Sequence, residues 1–202
     1  IQIKDNFFSK KLFEKLKNRL PILNYAAQNE MLAYKSHVWF STPCDKEVEK
    51  IIKKKCENIL NKKLKTDICS YTLVGSQESL PHCDLSDNHD YQIIIYIKGN
   101  QNLHKGTGFY VLNEESKNYE LNTHIGFKEN RAVIWHSNSW HSSMCWASDD
   151  KSPRYSVIGM FKKINNKKIY ITRVWHKTPH AMWRFYGYYG GIGVVGNMNT
   201  YG

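Results

Sequence analysis

Two amphipathic helical patterns followed by a series of short, β-rich runs predict a mainly β domain with buttressing helices, an antiparallel sandwich or jelly roll. The apolar period is helical up to residue 66 and shortens to strand length from Asp67 onward. No internal repeat and no linker divides the 202 residues, so one domain is expected, with helical support over 1–66, a β core over 67–175 and a C-terminal extension over 176–202.

The first helix follows Ser9, whose hydroxyl suits an N-cap, and carries Leu12, Phe13, Leu16 and Leu20 on one face before Pro21 stops it. A second helix is expected from Thr42 as N-cap, with Pro43 at its first position and Asp45 as the acidic capping partner. Val48, Ile51, Ile52, Cys56, Ile59 and Leu60 then recur at helical spacing. Strand candidates are 68–74, 91–97, 108–112, 131–135, 155–161 and 168–175, each rich in β-branched or aromatic residues and bounded by turn formers. The stretch 187–202 is dense in Gly, Tyr and Asn; with Trp175, Trp183, Phe185 and Tyr186 before it, it is expected to close the open end of the β core.

A hydrophobic share of 41% and a charged share of 23% argue against disorder. No run approaches the roughly 18 apolar residues of a membrane span, and Ile1 to Asp5 is too polar for a secretory signal. Cys44, Cys56, Cys69, Cys83 and Cys145 form no CxxC pair, which fits free thiols in a cytoplasmic protein. The net charge of +11 invites a nucleic-acid partner, yet much of it sits in runs such as Lys53 to Lys55 and Lys62-Lys63 that read as solvated faces. Nucleic acid therefore ranks last among the expected partners, and no membrane partner is expected.

The informative segment is Leu80-Pro81-His82-Cys83-Asp84. In an extended chain, positions i and i+2 point the same way, so His82 and Asp84 can converge. Among nine histidines and 18 acidic residues such a pair is weak evidence alone. It gains weight from a late histidine after a strand-like run, followed by an arginine that opens a strand of its own: Trp135-His136-Ser137-Asn138-Ser139-Trp140-His141, then Pro153-Arg154-Tyr155-Ser156-Val157. His136 competes with His141 for the third place.

This pattern resembles the Fe(II)- and 2-oxoglutarate-dependent dioxygenases, most of all their small prolyl-hydroxylase-like branch, whose hallmark is His-x-Asp, a distal His and then an Arg or Lys. Arg154 stands 13 residues after His141; the 18 residues from His136 exceed the family spacing. The likeness extends to Ile3-Lys4-Asp5-Asn6-Phe7-Phe8 before the first helix, to Lys105-Gly106-Thr107-Gly108-Phe109-Tyr110 as the Gly-rich "GGxTxF" turn, and to 126–135 as the approach to the distal His. It implies a double-stranded β-helix, a cupin-like jelly roll. It also implies Fe(II) held by His82, Asp84 and His141 as the catalytic centre, which leaves three positions open for 2-oxoglutarate and O₂. Arg154 is the expected anchor of the cosubstrate carboxylate, with Ser156, Tyr71 and Tyr96 in the same pocket and ascorbate supporting turnover.

Lys105 stands where the family usually has Gly, Gly126 where Pro is common, and Asn130 where Gly is common. These departures bear on the substrate more than on the chemistry. The family's nucleobase-repair members carry a second Arg six residues after the anchor, a position held here by Met160. A peptide side chain, proline first, or an amino acid is the expected substrate, admitted by mouth segments 24–38 and 85–90. His89-Asp90 is expected as a surface turn, and His104 and His124 as solvent-facing loop residues; His37, His176 and His180 have no evident partner, and Arg173 lies too far along to rival Arg154. The alternatives are a zinc-dependent hydrolase, which has no use for an arginine at this spacing, and a non-enzymatic cupin-like metal-binding or sensing domain.

Overall fold

A computed structural model describes residues 1–27, 39–74, 80–84, 88–101, 104–144, 153–164, 185–189 and 192–196. It divides into two compact units, Ile1–Ile164 and Asn165–Gly202. In the second, strands Phe185–Tyr189 and Ile192–Gly196 form an antiparallel hairpin. The expected strand 168–175, Trp175, Trp183, Arg173, His37, His176, His180 and Cys145 lie outside the described residues. Among those described, Cys44, Cys56, Cys69 and Cys83 are free thiols, and no helix is long and apolar enough to cross a membrane.

The first unit opens with β1 (Gln2–Lys4) and α1 (Lys10–Arg19). Ser9 caps α1, its hydroxyl accepting from the Leu12 N–H at 3.4 Å, and a 3₁₀ turn through Pro21 ends it. Next come β2 (Ala26–Ala27), β3 (Trp39–Pro43) and α2 (Lys46–Leu60). The start of α2 differs from expectation: Thr42 and Pro43 belong to β3, opposite Tyr71 and Ser70 of β4 (Leu64–Val74), and Asp45 is the N-cap residue. Its carboxylate caps nothing in α2, being taken by the Arg19 guanidinium and by the Tyr71 hydroxyl, which donates at 2.8 Å. A local capping signal thus lost to a contact that ties α1, α2 and β4 together.

Six further strands complete the unit: β5 (Tyr91–Lys98), β6 (Gly106–Leu112), β7 (Tyr119–Gly126), β8 (Ala132–His136), β9 (Trp140–Met144) and β10 (Arg154–Lys163). One sheet runs β1-β8-β5-β10-β4-β3-β2 and the other β7-β6-β9, with antiparallel neighbours throughout. The strands β1, β2, β3, β7 and β9 were not among the sequence candidates. β1 and β7 are largely exposed, so no apolar alternation marks them.

Two apolar cores share the large sheet. Phe13, Leu16, Val48, Ile52 and Cys56 from the helices meet Ile93, Ile95, Ile97, Val157 and Phe161 on one face. Ile94, Tyr96, Val133 and Trp135 on the other face meet Phe109, Ile125 and Phe127 of the small-sheet side. β5 is buried on both faces, which explains its apolar run from Ile93 to Ile97. The result is a jelly roll with helices against one sheet.

The N-terminal segment is fastened to the start of β8. Asn130 adopts a left-handed φ of 60°, a conformation asparagine tolerates better than most residues. Its buried amide accepts from Phe8 N–H at 2.8 Å and donates to Phe8 C=O at 3.0 Å. Asparagine therefore fits this left-handed position, and its side chain adds a bridge that glycine would lack.

Nearby, Asp5 receives Arg131 through Nε at 2.7 Å and Nη2 at 3.1 Å, and Lys128 Nζ at 2.7 Å. The Arg131 hydrogen bond, then that of Lys128, holds the Asp5 carboxyl well below the usual carboxylate range. A depressed folded-state pKa stabilises above the unfolded value, and that stability drains as pH falls below about 4. Asp5→Asn should cost about 1 kcal/mol or less at pH 7, since the pair is partly exposed. Urea melts at pH 7 and pH 3 should find that difference shrinking at the acid end.

Candidate metal centre

The segment before β5 and strand β9 meet through one reciprocal bridge: His82 N–H donates to His141 C=O at 3.0 Å, and His141 N–H to His82 C=O at 2.9 Å. Residues that exchange both bonds present their side chains on the same face. The two imidazole centroids accordingly lie 4.6 Å apart. Asp84, two residues on, returns to that side. One donor atom from each of His82, Asp84 and His141 falls within 4.8 Å of the others. His141 Nε2 lies 3.4 Å from Asp84 Oδ2, and His82 Nε2 lies 3.8 Å from Asp84 Oδ1.

The ring tautomers follow from their partners. His82 Nδ1 lies 2.8 Å from Leu80 C=O, and His141 Nδ1 lies 2.9 Å from Ser139 C=O. A carbonyl only accepts, so both Nδ1 atoms donate, and Nε2 is the nitrogen each ring turns toward Asp84. Burial by itself raises the Asp84 carboxyl; the His141 hydrogen bond, the charges of both histidines and the Gln92 amide outweigh it and lower the pKa to about 2. Two nitrogens and an anionic oxygen on one side of a point form a donor set suited to a divalent transition metal with open positions.

His136 takes no part in this cluster. It ends β8 exposed, its ring edge-to-face with Tyr91 at 5.3 Å. His89 is no surface turn: it is buried, its Nε2 donating to Asp84 C=O at 2.8 Å and its Nδ1 3.3 Å from Asp67 Oδ2. His104 is exposed, while His124 lies within β7 and is half-buried.

Arg154 opens β10 with its side chain in the interior, 3% exposed. Nη2 donates to Ser143 Oγ at 2.7 Å, Nη1 reaches Gly106 C=O at 3.4 Å, and the guanidinium carbon stands 5.9 Å from the Tyr96 ring centre. Burial, opposed by Tyr96, lowers its pKa to about 10, which leaves it charged at neutral pH. Gly106 is the one residue type its place admits: φ is 152°, and a Cβ would sit 2.1 Å from Ile125 C=O.

Ser156, two residues beyond Arg154, is buried with its hydroxyl 3.0 Å from Thr72 Oγ1. Tyr96 is fully buried, its hydroxyl 2.7 Å from Thr107 Oγ1, and desolvation raises its pKa. Tyr71 departs from expectation. It lies in the core beneath the helices, bonded to Asp45 and with Arg19 over its ring, while the neighbouring Thr72 faces Ser156. Strand alternation puts Tyr71 and Thr72 on opposite faces, so Tyr71 cannot line a pocket with Tyr96.

Sequence reasoning missed Gln92, His89, Thr72, Thr107 and Ser143. Gln92 alone had a legible signal, a primary amide inside the apolar run Tyr91-Gln92-Ile93-Ile94-Ile95.

Compared by sequence, the chain matches no protein-family model and no curated protein. Solved structures do match. A Pseudomonas putida prolyl-4-hydroxylase is similar at TM-score 0.56 and 12% identity, over 81% of this chain and 92% of its own. A Trichoplax adhaerens prolyl hydroxylase, in complex with a hypoxia inducible factor oxygen degradation domain peptide fragment, matches at TM-score 0.57 and 12% identity over 80% and 82%. HygX from Streptomyces hygroscopicus, with nickel, 2-oxoglutarate and hygromycin B bound, matches at TM-score 0.54 and 9% identity over 79% and 81%. The first unit of this chain thus has the double-stranded β-helix fold of the 2-oxoglutarate- and Fe(II)-dependent oxygenases, prolyl hydroxylases among them.

Proposed function

We propose that the chain is an Fe(II)- and 2-oxoglutarate-dependent oxygenase that hydroxylates a C–H bond of a peptide side chain, proline being the first candidate, or of an amino acid. The observation that carries this reading is the meeting of one ligand atom each from two histidines and an aspartate within 4.8 Å, in a fold shared with such enzymes. Zinc hydrolysis would leave the buried Arg154 without a task.

The residues fit the implied groups. His82, Asp84 and His141 are the ligands, two imidazole nitrogens and one carboxylate suiting Fe(II). Bound there with 2-oxoglutarate and O₂, the metal supplies oxidative decarboxylation to succinate and CO₂ together with oxidation of the substrate C–H bond. Arg154 anchors the far carboxylate. Its partner Ser143 lies two residues beyond His141 on β9, roughly 7 Å along the strand, a span that matches a five-carbon dicarboxylate. Ser156 and Tyr96 contribute hydroxyls on the same interior side. The interior excludes bulk water, so the guanidinium's attraction for a carboxylate is poorly screened. Ascorbate supports turnover by keeping the iron reduced. The peptide fragment and the hygromycin B bound to two of the structural neighbours make peptides and small molecules the substrate classes to test.

With iron, ascorbate and substrate, the purified chain should convert 2-oxoglutarate to succinate; zinc should give none. Arg154→Leu should raise the 2-oxoglutarate requirement on the order of tenfold or more, with partial rescue by Arg154→Lys, because a point charge replaces a planar fork. A Leu variant that titrates like wild type removes Arg154 from the anchor role. His141→Ala should abolish tight Co(II) binding measured by absorbance, whereas His136→Ala should leave it unchanged. For substrate, a panel of proline-containing peptides, free amino acids, nucleic acids and lipids, scored for one added oxygen coupled to succinate release, should respond among the peptides or amino acids. Turnover confined to the last two classes refutes that choice.

A further inference from the structure

Gln92 lies on β5, 3% exposed, in the row that continues with Ile94 and Tyr96 toward the core shared by the two sheets. A primary amide buried there costs about 1–3 kcal/mol unless it is paired. It is paired with one particular atom: Nε2 donates to Asp84 Oδ2 at 3.0 Å. The backbone of the same aspartate is held separately, through its C=O, by the buried His89. Main chain and carboxylate of Asp84 are thus held by two different side chains, His89 and Gln92.

We infer that Gln92 is a positioning residue for Asp84, turning its carboxylate so that a divalent ion is taken through one oxygen. Oδ2, 3.4 Å from His141 Nε2, has one lone pair engaged by the amide, while Oδ1, 3.8 Å from His82 Nε2, is the oxygen that the amide leaves to the metal. A carboxylate gripping the ion through both oxygens would fill one further coordination position. Single-oxygen binding leaves that position for an incoming ligand. The inference rests on Asp84 being a metal ligand, as in the function proposed above, and adds to it the residue that sets how Asp84 binds.

The test uses the full chain with Co(II) as the probe. Gln92→Met keeps the side-chain length and removes the donor; Gln92→Asn keeps an amide but withdraws it by one methylene. Both should raise the Co(II) dissociation constant roughly 10- to 100-fold and change the visible d–d absorption, while the unfolding midpoint in EDTA moves little. Wild-type affinity and an unchanged spectrum in Gln92→Met overturn the inference and leave the oxygenase reading standing. A wild-type chain that binds no Co(II) sinks both. Should the variants fail to fold, the Gln92 side-chain amide of ¹⁵N-labelled wild type decides the matter: its resonance should shift and its hydrogens exchange more slowly when Zn(II) binds. An unmoved resonance overturns the assignment.

Discussion

Three donor atoms from residues 82, 84 and 141 have to reach one point, and the constraint that brings them there is the pair of backbone hydrogen bonds between His82 and His141. Each bond is worth only about 1 kcal/mol, but their geometry is strict. A one-residue slip of either segment would turn its histidine to the opposite face and dissolve the cluster. The slip is resisted on the other side of β9, where β6 pairs Phe109 with His141 and Gly108 with Ser142. The aromatic rings of Trp135 and Phe109 pack beside His141 at 5.0 and 6.4 Å and limit its rotation. The His141 ring is thus oriented by register, by the carbonyl bond to Nδ1 and by apolar packing, three independent restraints on one side chain.

The same register explains why a charged guanidinium sits in the interior. β10 lies between β4 and β5, so its inward residues Arg154 and Ser156 meet Tyr96 on one side and Thr72 on the other. Burying a cation is costly, as the lowered Arg154 pKa records. Hydrogen bonds to Ser143 and the Gly106 carbonyl offset part of that cost, and in the function proposed above a bound carboxylate offsets a further part. Apolar packing supplies the stability that offsets it: the large sheet is covered on one face by the helices and on the other by the small sheet.

Helix α2 shows how a local signal is overruled. Thr42, Pro43 and Asp45 carry strong start signals, yet β3 claims the first two, and Arg19 and Tyr71 claim the carboxylate of the third. Pairing with β4 outweighed a cap worth about 1 kcal/mol. Tyr71 was misread for a related reason. Its parity along β4 cannot be fixed until the partner strands fix which face is inward.

The sequence alone determined the things that depend on neighbours along the chain: α1 with its Ser9 cap, the apolar run of β5, the i, i+2 geometry of His82 and Asp84, and the strand that begins at Arg154. The arginine spacing, set beside that of the family it resembles, also favoured His141 over His136. Tertiary structure decided what depends on partners distant in sequence. It added β1, β2, β3, β7 and β9, of which β1 and β7 are largely exposed and carry no apolar alternation. It turned His89 from an expected surface turn into a buried tether, moved Tyr71 to the helical face, and brought Gln92 against Asp84. The physical reason is common to all of these: alternation along a strand says which residues share a face, but only the hydrogen-bonded neighbours and the packed layers say which face is inside.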